Sequence, residues 1–391
     1  MHQPQSPEAA LENSEIDFLL SALLRGEQPD WPPERGRDCF DSVARRSSFH
    51  GVQAMSSALM AGVDWPAPLV AKLRVAAFEL AVWEICHRKL ISEVVGDLAK
   101  AGVPPILFKG TPLAYSLYAN PLWRERGDTD ILIPPDSLAT VEEVLRARGF
   151  VRGRGVSGRY VSYQASFTRL EADNPHTVDV HWRINNSQVL APLFEYDELL
   201  ERARPVAALG PEAVAASPVD ALMLACMHRA THLQNPYYSD GIAYYDGDRM
   251  IWLYDVHLLA SSFDQLQWQQ FLESAGRKGL RSACADGLER SQRRFGSRYP
   301  AHLLDSLRAR GHRDAGSEYL FSGAARQQWL DFRALPSIRA RAGFLRELVF
   351  PDAGHMRGKY PADSGRWIGW LYLRRALRGA RKKLISRGHQ H

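Results

Sequence analysis

Residues 109–133 read KGTPLAYSLYANPLWRERGDTDILI. Asp128 and Asp130 stand one residue apart where an apolar run begins. Side chains on a strand alternate in direction, so both acids face one side and Thr129 faces the other. Two unpaired carboxylates this near repel, and ionisation of both is disfavoured. A divalent cation between them reverses that balance, and hard oxygen ligands suit Mg²⁺, which takes one or two carboxylates together with substrate phosphates. Asp179 lies in TVDVHWR, residues 177–183, with Val178 and Val180 facing the other way. On a neighbouring strand it aims at the same point. Three carboxylates can hold two Mg²⁺ ions, an arrangement that activates a hydroxyl and stabilises a leaving pyrophosphate. Upstream, Gly110-Thr111 forms a turn between a strand and a helix, whose backbone N–H groups make an anion site. Lys109 adds a point charge suited to phosphate.

The text around this stretch alternates strand and helix signals. Residues 106–108 read as a strand, 111–118 as a helix opened by Gly110, and 128–133 as a second strand. Residues 137–148 read as a helix with Asp136 as N-cap and Gly149 just past its end. Residues 160–170 alternate like a strand, Asp173-Asn174-Pro175 makes a turn, and 177–183 alternate again. The order βαβαββ predicts an α/β core with a mixed sheet. Before it, residues 69–101 form a long helical pattern, with Leu73, Ala77, Leu80 and Trp83 on one stripe. After residue 184 the chain turns helical. Ser217 and Pro218 open one helix, a Tyr/Asp/Gly loop spans 235–248, and RMIWLYDVHLLASS follows as another helix. The expected division is 1–15 disordered, 16–102 an N-terminal helical region, 103–200 the core, 201–345 a helical domain, and 346–391 a basic tail.

The text KGTPLAYSLY…R…GDTDILI…VDVHW resembles the uncharacterised bacterial nucleotidyltransferases of the DNA polymerase β superfold. Their pattern is a Gly-Ser/Thr turn, an acid-x-acid strand, and a third acid on a later strand. The likeness covers residues 103–183. LMLACMHRATH and RMIWLYDVHLLA are similar to the helical half of that family, in which the loop 235–248 stands as an insertion. VFPDAGHMRGKYP…LYLRRALRGARKKL is similar to the ends of relatives near polysaccharide or peptide-modification genes. The resemblance implies an α/β (α+β) fold: a polymerase-β-like nucleotidyltransferase core with a mixed sheet, N-terminal helices and a helical C-terminal half. It implies Asp128, Asp130 and Asp179 as catalytic metal ligands, Gly110 and Thr111 as phosphate contacts, and Lys109 beside them. Arg124 matches a basic position of the family, within reach of phosphate or substrate. The implied reaction transfers an NMP from an NTP to a hydroxyl, with two Mg²⁺ ions as cofactor. A small molecule, glycan or peptide is the expected acceptor.

Bulk composition narrows the alternatives. The chain has 391 residues, 45% hydrophobic and 24% charged, as in ordinary soluble globular proteins. Its four cysteines form no CxxC pair, which argues against a disulfide framework or zinc site and suits a reducing cytoplasm. No signal peptide is expected from MHQPQSPEAALENSE, and no apolar run approaches the roughly 20 residues that span a bilayer. From Arg366 onward there are eight Lys/Arg and no acid, and taking those eight off the net charge of +5 leaves the rest at −3. The basic character belongs to the tail, so no nucleic-acid partner is expected.

Further polar residues mark the expected cleft. His181 shares the face of Asp179, where it either orients that acid, touches substrate, or is a half-buried hydrogen-bonding histidine. His228 and His232 are four apart on one helix, with Asp255 on the next. That spacing can bind metal, although a polar inter-helix contact lining the cleft is the plainer reading. Arg249 serves the nucleotide, the acceptor, or the surface. In the tail, Trp367, Trp370, Leu371, Leu377 and Leu384 stand among basic residues, which suits either peripheral contact with an anionic membrane or a docked helix with a solvated basic face. Rival functions are a phosphoryl- or glycosyl-transferring variant, a non-catalytic membrane-associated binding protein, and a metallohydrolase using His228, His232 and Asp255.

Overall fold

The computed structural model describes residues 7–32, 38–156, 158–234, 237–239, 242–244, 247–309, 313–360 and 363–387. Four helices come first: α1 (Pro7–Leu24), α2 (Asp38–His50), α3 (Gln53–Leu59) and α4 (Ala67–Lys100). Disorder expected over 1–15 gives way to α1 from Pro7 onward, while residues 1–6 lie outside the described residues. Ile16, Leu20 and Leu23 of α1 pack with Val43, Met55, Leu69 and Leu73. This burial fixes the helix despite its mixed N-terminal text. In α4, Leu73 is buried, whereas Ala77, Leu80 and Trp83 are half-buried. Its C-terminal half buries Ile91, Val94, Val95 and Leu98.

The core follows as β1 (Ile106–Phe108), α5 (Gly110–Ser116), β2 (Asp128–Leu132), α6 (Leu138–Ala147), β3 (Val151–Arg152), β4 (Gln164–Glu171) and β5 (Asn174–His181). After α7 (Tyr196–Glu201), two short strands, β6 (Arg204–Pro205) and β7 (Val214–Ala215), complete one seven-stranded mixed sheet in the order β3-β4-β5-β2-β1-β7-β6. β2 sits in its middle, parallel to β5 and antiparallel to β1. The β4–β5 hairpin turns at Ala172 and Asp173, with φ 47° and 67°. Two consecutive positive φ values make a two-residue type I′ turn, so Asn174 and Pro175 already belong to β5 rather than to the turn. At α6 the N-cap is Ser137, not Asp136, and its side chain makes no capping bond. Gly149 follows with φ 79°, the left-handed residue that ends such helices.

The sheet separates two cores. Leu107, Ile131, Val178 and Val180 face Ile91, Val94, Leu98, Val141 and Leu145 of α4 and α6. Ile106, Phe108 and Leu132 face the helical half instead. That half holds α8 (Pro218–Gln234), α9 (Met250–Ser262), α10 (Gln265–Arg277), α11 (Arg281–Phe295), α12 (Leu303–Arg308) and α13 (Ala315–Leu320). Ser217 caps α8 as expected, its Oγ accepting from the Asp220 N–H at 3.2 Å. Within the expected 235–248 loop, β8 (Tyr237–Ser239) pairs with β9 (Ile242–Tyr244). The chain closes with α14 (Ala324–Ala334), α15 (Ile338–Val349), α16 (Ala353–Lys359) and α17 (Ile368–Arg387). α17 docks through Leu371, buried with Met356 and Tyr360, yet leaves Trp367 79% and Leu377 61% exposed. Among the described residues no helix is long and apolar enough to cross a membrane. The four cysteines are unpaired, as expected.

Candidate active site

Alternation on β2 and β5 puts Asp128, Asp130, Asp179 and His181 on the face toward the helical half. Their register pairs Asp130 with Asp179, and Asp128 with Thr177. Ligand atoms of Asp130, Asp179 and His181 lie within 4.8 Å of one another, a grouping able to hold a metal ion. Asp128 stands one pleat repeat further along the strand. Of the three expected acids, Asp130 and Asp179 are in this grouping and His181 takes the third place instead of Asp128. His181 serves Asp130 rather than Asp179: its Nε2 lies 2.9 Å from Asp130 Oδ1. Lys109 Nζ donates to the same oxygen at 2.6 Å. Lys109 adopts φ 61° and ψ −134°, a conformation costly for a side-chain-bearing residue and concentrated at functional sites.

The charges on these groups diverge. Burial, then repulsion from Asp130 and Asp179, pushes the Asp128 carboxyl up to about 7. Burial also acts to raise Asp130, but the Lys109 charge and the His181 bond overcome it and hold Asp130 below the usual carboxylate range. Asp179 is raised by burial and by Asp130, partly offset by a hydrogen bond to Ser166. Lys109 is raised, since attraction to Asp130 outweighs its desolvation. Asp179 Oδ1 is buried and has no hydrogen-bond partner among the described residues. A buried acceptor with nothing to accept from fits a cation ligand.

Behind β2 lies a polar network that sequence reasoning did not find. Thr129 Oγ1 meets His87 Nε2 at 2.7 Å and Thr111 Oγ1 at 2.8 Å. Arg126 Nε donates to Thr111 Oγ1 at 3.0 Å, and its Nη2 to Glu84 at 2.9 Å. Trp83 stacks on His87, ring centroids 4.1 Å apart. The Thr111 hydroxyl, expected at phosphate, is thus turned to the opposite side and braces β2. Its backbone and that of Gly110 remain at the start of α5, and Pro112 contributes no N–H.

Arg124 is placed differently from expectation as well. Its Nε donates to both carboxylate oxygens of Asp255, at 2.8 and 3.0 Å, and Tyr118 donates to Asp255 at 2.7 Å. Its guanidinium lies 3.5 Å from where a Cβ on Gly110 would sit, so the pair covers that glycine. Lys109, Arg124, His228, Trp252 and Asp255 line one small cavity between the sheet and α8/α9. His232 stacks on Trp252 at 5.1 Å, beside His228 at 4.6 Å. Burial first, then neighbouring positive charge, pulls His232 down to about 4 and keeps it neutral at pH 7. Asp255 is engaged by Arg124 and Tyr118, and among the described residues the grouping with the spacing to hold a metal ion is Asp130, Asp179 and His181, not the histidine pair with Asp255. Arg249 is buried rather than superficial, donating to the Phe49 carbonyl and lying over the Trp252 ring.

A central strand with alternating acids, a third acid in register beside it, and a glycine-opened helix facing them define a nucleotidyltransferase. Residues 35–296 match the family described as "uncharacterised nucleotidyltransferase", and the chain belongs to it. Comparison with curated proteins gives no match. Membership makes the protein an enzyme of the transferase class.

Proposed function

We propose that the protein transfers a nucleoside monophosphate from an NTP to a hydroxyl of its acceptor, with pyrophosphate leaving, in a Mg²⁺-dependent reaction. The observation that carries this reading is the in-register pair Asp130–Asp179, with Asp179 Oδ1 buried and lacking a hydrogen-bond partner among the described residues. Asp128, Asp130 and Asp179 would hold the metal, two ions in the full complement, and bound Mg²⁺ supplies positive charge to the α-phosphate and leaving group. Lys109 and the backbone of Gly110 and Thr111 hold the β,γ-phosphates. The acceptor oxygen forms a bond to the α-phosphorus as the bond to the pyrophosphate oxygen breaks. Asp179, in register beside Asp130, receives the hydroxyl proton. Arg124, its Nε on Asp255 and its Nη1 on the Glu125 carbonyl, shapes the wall beside Gly110.

The test is turnover of Asp130→Asn and Asp179→Asn with Mg²⁺ and labelled NTPs. Each is expected to fall by at least ~100-fold, because charge stabilisation by a bound ion is worth several kcal/mol. Melting curves report whether the variants stay folded. Product mass separates AMP addition from phosphoryl or hexose addition. Active aspartate variants alongside inactive His228→Ala and His232→Ala would move the site to the helical half and end this reading.

A further inference from the structure

The active face extends past Asp179 across β4. Gln164, Ser166 and Thr168 stand opposite His181, Asp179 and Thr177, so they point to the same side as the acids. Ser166 stands directly across the ladder from Asp179. Next to this row opens a cavity of about 500 Å³, lined by Gln164, Ser166 and Asn186 of the core and by Arg152, Arg154 and His355. Small-molecule sites are typically this size.

Another part of the wall is built from RGRGV, residues 152–156. Gly153 N–H donates to the Ser166 carbonyl at 2.8 Å. A Cβ on Gly153 would sit 3.4 Å from that same oxygen, so glycine lets the loop lie close against the strand. At the loop's other end Glu347 accepts from the N–H groups of Arg159 and Tyr160, at 3.0 and 2.8 Å. The stem of Arg154 lies 3.5 Å from where a Cβ on Gly358 of α16 would sit, and Asp352 accepts from the His355 N–H at 2.9 Å. The C-terminal segment, beyond the matched 35–296, thus closes the cavity. Arg152 is engaged by Glu142 at 3.1 Å. Arg154 makes no ion pair among the described residues.

We propose that this cavity is the acceptor subsite, and that the acceptor is a small anionic polyol, a sugar phosphate or sugar acid, whose hydroxyl reaches Asp179 past Ser166 while its anionic group lies on Arg154. The inference rests on the nucleotidyltransferase reading. Hydroxyl and amide side chains along one wall match a polyhydroxylated ligand, and a guanidinium matches phosphate or carboxylate geometry. Val156, Val161 and Ala165 are the aliphatic groups of the lining, beside which the carbon skeleton of such a ligand would lie.

The experiment is titration calorimetry of the full chain with glucose 6-phosphate, glucuronate and neutral glucose, each in the presence of Mg²⁺ and a non-hydrolysable ATP analogue. The analogue alone is titrated separately. Both anionic probes are expected to bind at least tenfold tighter than glucose, about the worth of one charge-assisted hydrogen bond. Arg154→Ala should remove that preference, Arg154→Lys should restore most of it, and neither should change affinity for the analogue. Normal analogue binding with no anion preference, or a preference that survives Arg154→Ala, overturns the acceptor assignment and leaves the nucleotidyltransferase reading standing. Loss of analogue binding in the wild type overturns both.

Discussion

Asp128→Asn should make the metal-free protein more stable, and only above acid pH. In the unfolded chain this carboxyl titrates near 3.8, and in the fold near 7, through burial and the neighbouring Asp130 and Asp179. An acid with a raised folded pKa holds its proton longer folded than unfolded. Its cost to the fold is therefore absent below about pH 3.8, grows through the window between, and is complete above about 7. At 1.36 kcal/mol per pH unit, that window is worth about 4 kcal/mol. Asp128 keeps some contact with water, which screens it, so about half of that, ~2 kcal/mol, is the expected gain. With an unfolding entropy of ~2.1 cal/mol/K per residue over the whole chain, this raises Tm by ~2–3 °C. The assay is thermal melting of wild type and variant in EDTA at pH 4.5 and pH 8. The gain should be full at pH 8 and fall to about a quarter of that at pH 4.5. Millimolar Mg²⁺ should stabilise the wild type more than the variant, since binding to the folded state adds stability by mass action. A gain that is equal at both pH values, or absent at pH 8, would refute the account of Asp128 as a repelled carboxylate.

Arg124→Ala should cost about 3–5 kcal/mol in denaturant unfolding because it leaves Asp255 buried with no cation, whereas Arg124→Met with Asp255→Leu should recover most of the loss. His232→Gln should flatten the acid limb of stability: the unfolded histidine takes its proton below about 6.5, the folded one only near 4, so the wild type loses stability as pH falls between them and the variant does not. Denaturant midpoints at pH 7 and pH 5 check this, and equal losses for both proteins would contradict it. Removing residues 366–387 should abolish pelleting with anionic vesicles if the tail meets a membrane, each basic residue near the surface being worth about 1 kcal/mol. Unchanged pelleting sinks that idea.

Much of the site was readable from strand alternation. Asp128, Asp130 and Asp179 share a face because side chains repeat every two residues, and the apolar run after Asp130 and the valines flanking Asp179 announced the strands. What escaped reading depended on partners distant in sequence. Arg124 looked available for phosphate, but Asp255, 131 residues away, accepts from it. Thr111 looked like a phosphate contact until Thr129 and Arg126 claimed its hydroxyl. His181 reaches Asp130 rather than its near neighbour Asp179, a choice set by the parallel register of β2 on β5. The start of α1 was missed because its text, PEAALENSE, shows no apolar stripe.

Lys109 carries one more consequence. Held on Asp130 by a strained backbone, its ammonium already neutralises the acid that an incoming ion needs. A bare cation must displace it, while a triphosphate gives it a second anion to hold. On the proposed function, metal and nucleotide would each relieve an obstacle to the other, and their affinities would rise together by the same factor, as linkage requires. The chain would resist loading by free Mg²⁺ and fill cooperatively when the ion arrives with nucleotide. Replacing Lys109 with methionine should uncouple the two, strengthening binding of the lone ion while weakening that of the nucleotide.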